Sequence, residues 1–130
     1  MGSASDYLEA ELLDHMIGSA YSAPATWYVA LSTADPTDDA SGIAEPSGGS
    51  YARVSVAANT FSRATSTIDN DAAITWAEAT GSWGTLTHWA IYDAASGGNM
   101  LFHGSLGSSQ AIASGETARL PAGTLDITAD

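Results

Sequence analysis

The side chains here that could do acid–base, metal or nucleophilic chemistry are three histidines, fifteen carboxylates and many serines. They are set in 130 residues with no cysteine and only three cationic side chains, all arginine. The strained nucleophile elbow that serves serine chemistry in α/β-hydrolases is absent, since no Gly-x-Ser-x-Gly sequence occurs. A phosphate-cradling Gly-x-x-x-x-Gly-Lys loop is impossible without lysine, and no Gly-x-Gly-x-x-Gly opens a helix. His15 falls in a helical stretch, whereas His88 and His103 fall in two runs joined by Ser96-Gly97-Gly98-Asn99. A hairpin turning at Gly97-Gly98 puts these two in adjacent strands several residues out of register, which argues for hydrogen-bonded structural imidazoles and against a shared metal. Asp35, Asp38, Asp39 and Glu45 offer the oxygen ligands a hard cation prefers, yet they lack the Asp-x-Asp-x-Asp-Gly order and distant Glu of an EF-hand. They and Asp69-Asn70-Asp71 read as solvated turns. No catalytic residue, metal or cofactor is assigned.

Four tryptophans are the remaining groups able to recognise a partner. Trp27, Trp76 and Trp89 read as core aromatics. Trp83 sits in Gly81-Ser82-Trp83-Gly84, a turn, where an indole either folds back over a sheet edge or anchors a partner. A sugar-stacking platform of Trp83 and Tyr51 is a further alternative.

These groups must be positioned by a small set of elements. Residues 1–18 read as the one helix: Ser3 or Ser5 can cap it, Asp6, Glu9 and Glu11 favour the positive end of its dipole, and Leu8, Leu12, Leu13, Met16 and Ile17 recur at helical spacing before Gly18. Such a helix must dock its apolar stripe on its own sheet or on a neighbouring subunit. After Pro24 the period becomes two, with Trp27, Val29 and Leu31 on one face. Residues 33–50 lose all periodicity and read as a long acidic surface loop, of the kind that is often functional or mobile. Short runs follow at Tyr51–Ala57, Ala64–Ile68, Ala73–Ala77, Thr85–Tyr92, Met100–Leu106, Gln110–Ala113, Thr117–Leu120 and Thr124–Thr128. Thr85–Tyr92 is apolar on both faces and therefore central. The pattern predicts a mainly β protein: one β-sandwich or jelly-roll-like domain of about eight short antiparallel strands, over residues 1–130, with one N-terminal α-helix.

A formal net charge of −12 excludes a nucleic-acid binder, since phosphate neutralisation needs clustered Lys or Arg. A 45% hydrophobic content excludes a disordered acidic tail. Nowhere do 18 consecutive apolar residues suggest a membrane span, and no basic, apolar leader opens the chain. No membrane partner is expected.

Several blocks together resemble small virion structural proteins of tailed bacteriophages. They are Tyr28 to Pro36, Gly48 to Val54, Ile74 to Trp76, Ala79 to Ala94, Gly97 to Leu101, Ser114 to Thr117 and Pro121 to Leu125. The resemblance spans almost the whole chain and implies a repeated, non-enzymatic virion subunit, of the kind labelled as capsid decoration, cement or tail fibre. The expectation is a decoration protein that binds the major capsid protein on the outer head surface and stabilises the shell, with a homo-oligomer, preferably a trimer, as its assembled form. A tail-fibre or tail-tip component is the alternative, and a carbohydrate-binding adhesin the second. Tyr7, Leu8, Leu12 and Met16 on the helix, Asp35, Asp38 and Asp39 in the loop, and Trp83 are the candidate interface residues. Self-repulsion at −12 per subunit predicts assembly that strengthens with salt.

Overall fold

The computed structural model describes residues 2–128; Met1 and residues 129–130 of the expected domain lie outside the described residues. Ten strands and one helix follow in the order β1 (Gly2–Ala4), α1 (Asp6–Met16), β2 (Thr26–Ser32), β3 (Val54–Ala57), β4 (Phe61–Ala64), β5 (Thr67–Asn70), β6 (Ile74–Thr75), β7 (Gly84–Tyr92), β8 (Met100–Ile112), β9 (Arg119–Leu120) and β10 (Ile127–Thr128). Eight of them form one mixed sheet, ordered β3-β2-β7-β8-β1-β10-β5-β4, and β6 pairs β9 in a small second sheet. The edge strands β3 and β4 are joined by a single 3-10 turn, Ala58–Thr60, so the large sheet must curl until its two edges approach. The mainly β class with one N-terminal helix is as the sequence predicts, but the β1–β10 pair is parallel.

The local chemistry of the helix is legible. Ser5 caps it, its hydroxyl accepting the Leu8 N–H at 3.2 Å, and Gly18 ends it at φ 106°. Residues 2–4, just before Ser5, are not helical. They form β1, which pairs Gly2 with Gly104 of β8, directly over the Trp89 indole. A Cβ at Gly104 would lie 2.7 Å from Trp89 Cζ2, so only glycine lets the three approach.

β7 is central, as its two apolar faces require. It pairs β2 and β8, with Leu31 opposite Trp89 and Val29 opposite Ile91 on the main core face. Its other face carries Ala90 and Tyr92, which with Ala30 and Met100 form a second, smaller cluster.

The short runs are bounded differently from their sequence patterns. Ala64–Ile68 is not one strand but straddles the tight turn at Thr65 and Ser66 between β4 and β5, with Thr65 at φ 57°, because β-branched residues in and after the turn imitate a single strand. Asp69 and Asn70 belong to β5. Asn70 is buried, donating to the carbonyls of Ala72 and Pro121 and accepting the Leu125 N–H. Gln110–Ala113 is mostly the end of β8, whose register with β7 slips between the pairs His88–Ser105 and Leu86–Gln110: β7 advances two residues while β8 advances five. That bulge lets one strand read as two.

Candidate functional site

The helix divides the expected interface set in two. Leu8 is buried and Tyr7 half-buried, so the first turn docks on the molecule's own sheet. The second half does not dock: Leu12 is 46% exposed, Leu13 70%, Met16 80% and Ile17 83%. Beside it lies an apolar groove of about 350 Å³, walled by Leu8, Leu12, Trp27, Ile68 and Phe102, with Arg63 among its lining residues. Trp27 holds this wall by tilted contacts with Phe61 at 4.9 Å and Phe102 at 5.5 Å. His15 serves the same region structurally, its Nδ1 accepting the backbone N–H of Tyr21 at 3.0 Å and fixing the segment that leaves the helix. The Tyr21 phenol, another residue lining the groove, is pushed above its ordinary value, chiefly by burial.

The acidic loop, residues 33–50, is packed down rather than splayed into solvent. Ala40 and Ile43 lie on the second apolar cluster of the sheet, and Pro36 is fully buried. Glu45 holds the loop in place. Its carboxylate accepts from Arg53 Nη2 at 2.8 Å and Nε at 3.0 Å and from the Tyr51 hydroxyl at 2.7 Å. The Arg53 guanidinium also donates to the carbonyls of Ala94 and Gly97 and lies 3.7 Å from the centre of the Tyr92 ring. Burial pushes the Tyr51 phenol well above the ordinary tyrosine value, so it stays protonated and able to donate to Glu45.

The three loop aspartates are exposed, and each has a structural tie. Asp35 Oδ1 accepts the Thr37 N–H at 2.9 Å, and Asp38 Oδ1 lies 2.7 Å from His103 Nε2. Asp39 accepts from the Ser41 N–H at 3.0 Å and from the Thr37 hydroxyl at 2.7 Å. Hydrogen bonds from Ser41 and then Thr37 hold the Asp39 carboxyl down at about 2, from an ordinary 3.8. A lowered pKa means that the native turn prefers the carboxylate. Its contribution is therefore present above about pH 4 and is lost as pH falls through about 2. In an NMR titration the Ser41 amide resonance should move with a midpoint near pH 2, and in Asp39→Ala that step should vanish. A midpoint near 3.8 would show that the cap does not hold the charge.

Two expectations are corrected here. His88 stands opposite Ser105 and His103 opposite Ala90, so the histidines are two positions apart on one face, not several. They flank a hollow with Ser3 and Asp35, but His88 Nδ1 is engaged by the Thr87 hydroxyl at 2.8 Å and His103 by Asp38. No group of three or more potential metal ligands forms among the described residues. Trp83 is the second correction. It is 3% exposed, donates Nε1–H to the Gly49 carbonyl at 2.9 Å and meets Tyr51 edge-on at 5.3 Å. The indole is buried against Gly49 and Tyr51 and offers no free stacking face, which removes both the exposed-anchor and the sugar-platform readings.

Arg63, Trp27, Ile68 and Phe102 come from four separate strands, so no local sequence pattern marks them as a groove. One signal for the exposed helix end was available. Leu12, Leu13, Met16 and Ile17 are too many apolar residues in two turns for one docked stripe.

Residues 3–128 match the family model of the Podophage GP4 fiber I protein gp80. The chain belongs to this family. Membership of the gp80 family makes the protein a structural component of a phage virion, in agreement with the resemblance its motifs carry. No curated protein sequence matches it.

Proposed function

We propose that the protein is a non-enzymatic tail-fibre component that assembles into the particle through the uncovered end of α1 and the groove beside it. The family match carries this reading, because the family is described as a fibre protein. It favours the tail over the head surface, where a decoration protein bound to the major capsid protein would sit. The surface supports it too: Leu13, Met16 and Ile17 are exposed on one helix end, which an isolated soluble domain has no reason to retain. Antibody labelling of intact particles in the electron microscope tests the location. Label at the tail, with a copy number far below that of the head lattice, is the expected result. Label spread over the head would return the protein to capsid decoration.

A further inference from the structure

The groove and the exposed helix end are two halves of one contact, and we infer that a second copy of this chain fills the groove with the end of its α1. This does not rest on where in the virion the protein sits. Among the described residues, the large hydrophobic side chains left exposed are Leu12, Leu13 and Met16 on α1 and Ile17 at its C-cap. Of these only Leu12 lines the groove; Leu13, Met16 and Ile17 do not line the groove of their own chain. They are apolar side chains of the kind that a cavity of about 350 Å³ with almost wholly apolar walls would take from a neighbour.

Charge sets the polarity of the contact. Each copy carries −12, so copies repel wherever acidic surfaces meet. Arg53 is engaged by Glu45, but Arg63 is exposed among the groove residues, with Nη1 donating only to the Thr65 carbonyl at 2.6 Å. The incoming helix end carries Glu11 and Asp14 among its apolar residues. Seating it in the groove brings these carboxylates to a guanidinium and not to another acidic face. Reciprocal exchange closes a dimer and head-to-tail passage closes a ring; both use the same two surfaces.

Sedimentation of the purified protein tests this. The wild type should self-associate, more strongly as salt rises, because screening relieves the general repulsion and leaves apolar burial in place. Leu13→Asp combined with Ile17→Asp should give a monomer with an unchanged melting temperature, since both residues are exposed. Arg63→Glu should weaken association about tenfold or more, and adding Glu11→Arg with Asp14→Arg should restore it. A wild type that stays monomeric overturns the inference, as does association that survives the helix substitutions. If the helix substitutions abolish association while Arg63→Glu is inert, the copies meet helix to helix away from the groove, which overturns it as well.

Discussion

Arg53→Met should lower the stability of the folded protein by about 3 kcal/mol, because removing one partner of a buried ion pair strands the other charge. The Arg53 side chain is 8% exposed and that of Glu45 22%, so the stranded carboxylate is only partly rehydrated. The loss is larger than one ion pair suggests because the guanidinium joins three segments. It binds Glu45 of the acidic loop, sits on Tyr92 at the end of β7, and donates to Ala94 and Gly97 in the β7–β8 turn. For a domain of this size the cost corresponds to a fall in melting temperature of roughly 10 °C. Adding Glu45→Gln to the Arg53→Met background should recover part of it, since the unpaired charge is removed while the Tyr51 hydroxyl keeps an acceptor. Loosening should begin in the loop, where protease cleavage between residues 37 and 42 would appear before global unfolding. A drop below about 1 kcal/mol, the range of solvated surface pairs, would mean that the contact is screened and the loop is held by its other ties, the buried Pro36 and the packing of Ala40 and Ile43 among them.

How much of this was legible depended on how local its cause is. β2 and β7 were readable because each has a face that must be buried, and alternation states which: Val29 and Leu31 meet Ile91 and Trp89 across the ladder. The helix was readable because its cap and its first-turn acids lie within a few residues of one another. β1 was not, because Gly-Ser-Ala has no pattern of its own. It is a strand only because Gly2 meets Gly104 over Trp89, a pairing between residues at opposite ends of the chain. The acidic loop shows the same divide. Its length, charge and surface position could be read, but its attachment could not, since Glu45 acquires its role from an arginine that also needs the far hairpin's carbonyls. The groove was invisible for the same reason: Trp27, Ile68 and Phe102 become neighbours only when the sheet curls.

Trp83→Ala should be the most damaging single substitution of an aromatic that looked exposed, costing about 3 to 5 kcal/mol of stability. Flanking glycines and a turn sequence make Trp83 look like a loop tip, but Gly49, which accepts its N–H, has φ 60° and brings residues 48–51 over the ring. A large buried ring removed here leaves a cavity in the main core cluster, and it leaves the Gly49 carbonyl without its donor. Against a total stability of roughly 5 to 15 kcal/mol, that loss brings the domain close to unfolding at growth temperature. Trp83→Phe separates the two causes. It restores most of the volume but not the N–H, and should cost only about 1 to 3 kcal/mol. The Phe variant, once folded, should self-associate as the wild type does, because the indole is 3% exposed and lies outside the groove. If association instead fell by more than stability in that variant, Trp83 would be contacting a partner after all, through a local opening of residues 48–51 that exposes the ring.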